Sequence, residues 1–376
     1  MKYMKHILAT VMLAFSMTVP AQSKTLSGLY PENFRDTIDG KPTALYVLKN
    51  ENGMEACVTN YGARLVSLMT PNWNGRMEDV VLGYDNIKDY YTRGQNFGAT
   101  VGRYVGRIIG PEFSIDGHSY RLQDDGKGHI AHGGKPGFQN RVWDVMQADR
   151  QKIVLQYVSP DGENGFPGEL TVTLTYTLTD RNWVDVDFKA ETTKPTVLNL
   201  TNHCYFNLSG DPSKDCLDET LVLDADSITA VDENVAVTGE VLAVAGTPFD
   251  FKTEKVIGKD IDDTTNTQIK NGIGYDHNWI LNTKGDIKKC FGTLYDPNSG
   301  IQMQMYTDQP GVQFYAGNFL DGTFVGKNGV KYPRRSAFCF ETQHYPDSPN
   351  HPEWPSTTLL PGDKYETTTI YKFDIK

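Results

Sequence analysis

Histidine and asparagine occur within apolar runs of this chain, where a strand that only packs would not need them. The clearest run is Asn199 to Leu208 (NLTNHCYFNL), which places His203 among aromatic and apolar residues. A buried polar group costs roughly 1–3 kcal/mol when it lacks a partner. The run therefore predicts a sheet face that must hydrogen-bond something, with a histidine that exchanges protons near neutral pH. Alone, it fits a core histidine with satisfied hydrogen bonds at least as well.

A glutamate follows a second apolar run, Ser336 to Gln343 (SAFCFETQ). At strand spacing Glu341 shares a face with Ala337 and Cys339, because side chains alternate along a strand. It lies either at a sheet edge or in a pocket. In a pocket, burial would raise its pKa toward the range that is useful for a general base.

Two more clusters offer groups that hold hydroxyls. Asp276, within Gly274 to Trp279 (GYDHNW), fits a hydroxyl acceptor beside a stacking ring, or equally an Asx turn before a strand. Arg103 and Arg107, four residues apart, are predicted on one face of one strand. Each can make bidentate hydrogen bonds to hydroxyls or to a carboxylate, although a surface arginine pair is as good an interpretation.

His129 and His132 lie in a glycine-rich stretch (HIAHGG), where the backbone can come close to a ligand. No acidic or cysteine ligand has a helpful spacing to this pair, so no metal site is predicted. A nucleophile elbow, a Walker loop and a Rossmann fingerprint are all absent from the sequence. One glutamate with histidines, an aspartate and an arginine instead fits proton transfer on a polyhydroxy compound.

The elements that must position these residues have the period of β-strands. Leu170 to Leu178 (LTVTLTYTL) alternates over nine residues, and Trp183 to Phe188 follows after a turn at Thr179 to Asn182, which predicts a hairpin. Short helices are plausible at few places, for example near Asn86 to Arg93. We predict one large all-β domain, residues 24–376, built of two packed sheets.

The N-terminus has the pattern of a secretory signal peptide, residues 1–23. Lys2 and Lys5 precede an apolar run from Ile7 to Val19, which is too short to span a bilayer, and small residues follow at Ala21-Gln22-Ser23. The pattern predicts a bacterial protein that is periplasmic or secreted.

The charge of the remaining chain excludes several partners. Without Lys2 and Lys5, 34 basic residues stand against 47 acidic ones, a net charge of −13. This balance argues against nucleic acid and anionic membranes as partners, and it fits a phosphorylated substrate poorly. The five cysteines are scattered and do not form the pattern of a disulfide framework.

Seven motifs, in order across some 290 residues, resemble the aldose 1-epimerase (galactose mutarotase) family. They are VTNYGA (58–63), DVVLG (79–83), GRYVGRI (102–108), HGG (132–134), TNHCYFNL (201–208), YDHN (275–278) with QPGVQFYAGNFLDG (309–322), and ETQHYPDSPN (341–350). The resemblance implies a large antiparallel β-sandwich, the galactose mutarotase-like supersandwich. It also implies an isomerase that interconverts the α and β anomers of hexoses such as glucose and galactose, without a cofactor. The oligomeric state stays open between monomer and homodimer.

The resemblance also implies roles for single residues. Glu341 takes the position of the general base that removes the C1 hydroxyl proton, and His203 that of the general acid that protonates the ring oxygen. His132 would bind near the ring oxygen, while Asp276, Arg107 and Gln313 would hold the other hydroxyls. Many members have asparagine where this chain has Gly106, which puts one substrate hydrogen bond in doubt.

Three other functions fit parts of the pattern. A relative that acts on hexose 6-phosphates would need a basic phosphate pocket. A non-catalytic sugar-binding protein would have no evident need for both Glu341 and His203. A glycosidase or lyase on the same sandwich would be expected to use two carboxylates, whereas the partner of Glu341 here is predicted to be a histidine.

Overall fold

A computed structural model describes residues 23–376, in which β-strands are the dominant element and every strand pair is antiparallel. The predicted signal segment, residues 1–23, lies outside the described residues except for Ser23. The two α-helices of the described range, α1 (Ile87–Thr92) and α2 (Thr267–Gly272), are too short and too polar to cross a membrane. The five cysteines all fall within this range, and each is a free thiol.

The strands divide into two runs along the chain. The first run is β1 (Thr37–Ile38), β2 (Lys41–Pro42), β3 (Leu45–Lys49), β4 (Glu55–Thr59), β5 (Arg64–Pro71), β6 (Met77–Asp79), β7 (Ala99–Val101), β8 (Arg107–Ile109), β9 (Glu112–Ile115), β10 (His118–Arg121), β11 (His129–Ala131), β12 (Asp144–Ala148), β13 (Lys152–Ser159), β14 (Leu170–Leu178) and β15 (Trp183–Thr192). The second run is β16 (Thr196–Val197), β17 (Thr201–His203), β18 (Thr220–Leu223), β19 (Ala225–Val231), β20 (Val237–Ala243), β21 (Lys255–Val256), β22 (Asp276–Leu281), β23 (Cys290–Tyr295), β24 (Ile301–Thr307), β25 (Gly311–Tyr315), β26 (Cys339–Gln343), β27 (Thr358–Leu359) and β28 (Tyr365–Ile375). Short 3-10 helices occupy Pro31–Phe34, Phe138–Asn140, Glu163–Gly165, Ile257–Lys259, Lys327–Gly329 and Ser348–Asn350.

Three larger sheets form the sandwich. The largest has nine strands in the order β12-β13-β14-β15-β28-β24-β23-β18-β21. A five-stranded sheet, β20-β19-β22-β25-β26, and a four-stranded sheet, β3-β4-β5-β6, complete the set together with five two-stranded pairs. One hydrophobic cluster joins residues of all three sheets, so the core lies between the nine-stranded sheet and the other two. The predicted all-β sandwich is confirmed.

The predicted hairpin illustrates how the sequence forms these layers. Along β14 the leucines, Val172 and Tyr176 are buried while the threonines between them are half-buried. This alternation places one face against the core and leaves the other toward solvent. β15 pairs with β14 from Leu170–Thr192 to Leu178–Val184, as the turn at Thr179 to Asn182 predicts.

The structure also agrees with the helical fragment predicted near Asn86 to Arg93. The Asn86 side chain accepts a hydrogen bond from the Asp89 amide at 2.9 Å and so caps α1. α2 was not predicted, although its Asn266 cap accepts from two amides in the same way.

The strand prediction for Asn199 to Leu208 is only partly right. Within this run the structure has one short strand, β17, which pairs with β7. Beyond it the chain binds the segment that leads into β26: Phe206 and Phe338 exchange both backbone hydrogen bonds, at 2.7 and 2.8 Å. The side-chain amide of Asn207 donates to the Ser336 carbonyl at 2.7 Å, and the side chain of Asn199 makes two hydrogen bonds to the backbone of His344. These two asparagines are therefore satisfied by the protein itself.

Gly133 allows two loops to meet beside the cavity described below. Its φ is +78°, and a Cβ built there would lie 2.0 Å from the carbonyl oxygen of Gly102. Gly128 has the same φ of +78°, but a Cβ there would meet nothing within 4 Å.

We predict that Gly133→Ala lowers the free energy of unfolding by ~1–3 kcal/mol more than Gly128→Ala, because overpacking adds to the shared backbone cost. Urea unfolding of both variants measures this difference. Equal destabilisation by the two substitutions would contradict the close approach of the loops at Gly133.

Candidate active site

A polar surface covers one face of three neighbouring strands in the five-stranded sheet. In the register, Asn278 of β22 lies opposite Gln313 of β25, which lies opposite Glu341 of β26. Because side chains alternate, the residues beside them point the other way: Trp279, Phe314 and Phe340 are fully buried in the core. Further members of the polar face at even spacing are Asp276, Tyr315 and Gln343.

Glu341 and His203 contact each other at this surface. The His203 Nε2 and Glu341 Oε1 atoms are 3.4 Å apart, and the two side chains are only 6% and 4% exposed. The His203 ring stacks on Tyr205 with a centroid distance of 5.1 Å and an interplanar angle of 24°. Its backbone carbonyl accepts from the Gly98 amide at 3.0 Å. Glu341 therefore lies in a pocket, although β26 is the outermost strand of the five-stranded sheet.

His132 lies next to His203, in the loop after β11. The two imidazole rings meet edge to face with centroids 5.5 Å apart. The backbone of His132 has a φ of +49°, an uncommon left-handed conformation for a residue with a side chain. Its amide donates to the Gly106 carbonyl at 2.9 Å, which ties this loop to the start of β8.

Asp276 and Arg107 complete the set of charged groups. Asp276 begins β22, and its Oδ1 accepts from Gln313 Nε2 at 2.7 Å. Arg107 begins β8, and its Nη1 donates to the Val235 carbonyl at 2.8 Å. The Asp276 side chain thus binds Gln313 and does not form the Asx turn that the sequence also allowed.

The prediction that Arg103 and Arg107 share a strand face is wrong. β7 ends at Val101 and β8 begins at Arg107, so irregular backbone separates the two arginines. Arg103 is 2% exposed, and its guanidinium donates to the Ser159 hydroxyl and the Pro167 carbonyl, both at 2.9 Å. It holds a neighbouring loop, and only Arg107 reaches the polar surface.

His129 does not join His132 in a metal site. Its Nε2 lies 2.9 Å from Asp125 Oδ2 instead. Among residues 23–376 no group of three or more histidine, cysteine, aspartate or glutamate side chains is arranged to hold a metal ion.

All six residues singled out for substrate or catalysis line one cavity of about 270 Å³. The rest of the wall consists of Gly106, where the sequence already put one substrate hydrogen bond in doubt, together with Gln95, Asn96, Tyr205, Val231, Val235, Val237, Asn278, Tyr315, Phe319, Gln343 and Pro346. Asn278 and Gln343 stand two residues after Asp276 and Glu341, and Tyr205 and Tyr315 stand two residues after His203 and Gln313, so even spacing was a usable signal for these four. Gln95 and Asn96 follow α1 in a stretch without periodicity, which carries no such signal.

Gly106 forms part of the cavity wall with a φ of +75°. A Cβ at this position would lie 3.2 Å from the Cβ of Pro346. Asparagine also tolerates a left-handed backbone, so the asparagine that the resemblance predicts for many members would not require a different backbone here.

Burial shifts the pKa values of Glu341, His203, His132 and Asp276 so that each favours its neutral form. It raises the pKa of Glu341 well above its usual value of 4.5, and the nearby Asp276 carboxylate raises it further, against the opposing charge of Arg107. Burial likewise lowers the pKa of His203 well below 6.5, and His132 adds to this effect. The pKa of His132 falls to about 4, by burial and by the charge of Arg107, and burial raises that of Asp276.

Several polar side chains in the cavity wall have donor or acceptor atoms that make no hydrogen bond to other described residues. Six buried polar atoms of its wall have no hydrogen-bond partner within the described part of the chain: Arg107 Nε, His132 Nδ1, His203 Nδ1, Asn278 Nδ2, Gln313 Oε1 and Gln343 Oε1. Native proteins leave few such atoms without a partner. The arrangement suits a small ligand with several hydroxyls, placed where Glu341 and His203 can exchange protons with it.

Comparison with known proteins gives a consistent result. The model of the aldose 1-epimerase family matches residues 44–372. The chain is 40% identical to human galactose mutarotase over 85% of its own length and 90% of that protein, and 36% identical to Escherichia coli aldose 1-epimerase over 89% and 96%. Among solved structures, galactose 1-epimerase from Lactobacillus acidophilus superposes with a TM-score of 0.79 at 30% identity, covering 90% of this chain and 97% of that one. An aldose epimerase homologue from C. elegans superposes with a TM-score of 0.82 at 29% identity, over 89% and 99%.

Proposed function

The chain belongs to the aldose 1-epimerase family and is an isomerase of aldose anomers, and we propose that Glu341 and His203 carry out its chemistry. The observation that carries this assignment is their contact at 3.4 Å on the wall of the cavity. Ring opening must remove a proton from O1 and add one to O5. Both oxygens are bonded to C1, so a base and an acid that serve them must lie within a few ångströms of each other, as these two groups do.

The reaction removes one proton from the sugar at O1 and adds one at O5. Glu341 takes the proton of the C1 hydroxyl while the C1–O5 bond breaks, and O5 receives a proton from His203. The electrons of the O1–H bond form the C1 carbonyl, and those of the C1–O5 bond pass to O5. Rotation about C1–C2 presents the other carbonyl face, and the same steps in reverse close the ring as the other anomer.

The electrostatics of the cavity favour these transfers. A raised pKa makes Glu341 a stronger base, and a lowered pKa makes the His203 imidazolium a stronger acid. Ring opening converts a buried pair of opposite charges, carboxylate and imidazolium, into two neutral groups. Because burial disfavours both charges, it favours the opening step once this ion pair has formed.

The remaining polar residues hold the sugar. Arg107, Asp276 and Gln313 would bind the hydroxyls remote from C1, and His132, beside His203, would bind near the ring oxygen. Arg107 is the only lysine or arginine among the described residues that line the cavity, while Asp276 and Glu341 are both acidic. This balance supports a neutral aldose such as glucose or galactose rather than a hexose 6-phosphate.

We predict that Glu341→Gln and His203→Asn each lower kcat by ~10²–10⁴-fold, because each removes one proton-transfer group. Polarimetry of freshly dissolved α-D-glucose and α-D-galactose measures the rate against buffer alone. Glu219→Gln is a matched control: Glu219 is fully buried and its pKa is raised by burial, but it lies outside the cavity. Wild-type protein that does not accelerate the change in rotation of either sugar would contradict the assignment and favour a sugar-binding protein.

The pH dependence follows from the two pKa shifts. In the reactive form of the enzyme, Glu341 and His203 together carry one titratable proton. Since the pKa of His203 is lowered, a second proton is taken up only well below pH 6.5; since that of Glu341 is raised, the last proton is lost only well above pH 4.5. We therefore expect the acid limb of kcat/KM to have its midpoint below pH 6.5 and the alkaline limb to have its midpoint well above pH 4.5, after subtraction of buffer catalysis. An acid limb with a midpoint at or above 6.5, or an alkaline limb near 4.5, would contradict the shifts.

Export to the periplasm or the medium is part of the same proposal. It is supported by the sequence of residues 1–23, with two lysines, an apolar run and small residues before Lys24. N-terminal sequencing of the protein from a periplasmic fraction should begin near Lys24. Protein that stays in the cytoplasm and begins at its first residues would contradict it.

A further inference from the structure

A second groove adjoins the catalytic cavity. It has a volume of about 630 Å³, and Gln95, Asn96 and His132 line both spaces. The groove continues away from this common wall past Tyr61, Tyr91 and the loop from Gly134 to Asn140. The mechanism derived above uses none of these more distant residues.

The walls of this groove have the chemistry of a sugar subsite. Tyr61 and Tyr91 meet edge to face with ring centroids 6.4 Å apart, and Tyr91 is 40% exposed. The side-chain amides of Gln95, Asn96 and Asn140 make no hydrogen bond to other residues of the described chain. Aromatic rings offer an apolar surface, and each amide can both donate and accept, which matches a pyranose with its alternating C–H and hydroxyl groups.

A buried cation holds the two sides of the groove together. The Arg64 guanidinium, 1% exposed, donates to the carbonyls of Gln95 at 3.2 Å, Phe97 at 2.9 Å and Gln139 at 2.8 Å. Gln95 has a left-handed φ of +68°. Burial of a charge is expensive unless it is well hydrogen-bonded, so these contacts set the groove in a defined shape before any ligand arrives.

We infer that this groove binds the second sugar of a reducing disaccharide whose reducing residue occupies the catalytic cavity, with the linkage through O6 of that residue. The inference rests on the proposed function. There, His203 faces the ring oxygen and His132 lies beside it, so the groove opens on the ring-oxygen side of the sugar. The substituents nearest to that side are O1 and C6. O1 must be a free hydroxyl for the ring to open, so the second sugar is joined through C6.

Polarimetry with disaccharides of glucose tests the linkage. Isomaltose and gentiobiose are 1→6-linked, and maltose and cellobiose are their 1→4-linked counterparts. We expect kcat/KM at least tenfold higher for the 1→6-linked sugars than for the 1→4-linked sugars of the same anomeric configuration. If glucose is turned over but the two linkages are equal, or the 1→4-linked sugars are preferred, the subsite is overturned and the proposed function stands.

Two variants test the residues. Tyr91→Ala and Asn140→Ala should each raise KM for isomaltose about five- to tenfold, the loss of roughly one hydrogen bond or stacking contact, while KM for glucose changes less than twofold. Tyr30→Ala is the matched control, because Tyr30 is 46% exposed and lies outside both spaces. Variants that raise KM for glucose and isomaltose equally would show a structural role and overturn the subsite. No acceleration with glucose in the wild type would refute the proposed function itself.

Discussion

The pairing of residues 199–208 with residues 336–344 is the contact on which the active site depends. Phe206 and Phe338 exchange backbone hydrogen bonds at its centre, and Asn199 and Asn207 bind the backbone near its two ends. Two segments more than a hundred residues apart are thereby held at a definite offset. That offset places His203 against Glu341, and a shift by one residue would turn either side chain to the opposite face.

The five-stranded sheet fixes the positions of the polar side chains on the other side of the His203–Glu341 contact. β22, β25 and β26 each present an aromatic residue to the core and a polar residue to the cavity. Phe314 and Phe340 stack in the core with ring centroids 5.1 Å apart, directly behind Gln313 and Glu341. Packing of the core therefore fixes the positions of the polar groups that line the cavity. The same burial raises the pKa of Glu341 and lowers that of His203, so the sandwich sets both the geometry and the proton affinities of the proposed acid–base pair.

The opposite wall is irregular, and buried arginines hold it. Arg64 and Arg103 bind mainly backbone carbonyls rather than carboxylates, and each connects segments distant in sequence. The planar guanidinium has five donors, so one side chain can satisfy several carbonyls at once. This use of arginine allows loops without regular hydrogen bonding to keep a fixed shape beside the cavity. In this way Arg64 joins the two sides of the groove next to the cavity.

The sequence by itself determined the strand periods, the cap of α1 and the residue types of the site. Leu170 to Leu178 alternates because one face of β14 is buried, and this local pattern needs no knowledge of its neighbours. The motifs sufficed to identify the family and six residues that prove to line one cavity. The motifs already placed Arg107 among these six, but only the tertiary structure showed that Arg103 holds a loop instead of sharing its face, since an even spacing implies a shared face only where the strand is continuous. The contact of His203 with Glu341, the pKa shifts and the second groove also come from tertiary structure, because distances and burial arise between segments that the chain order keeps apart.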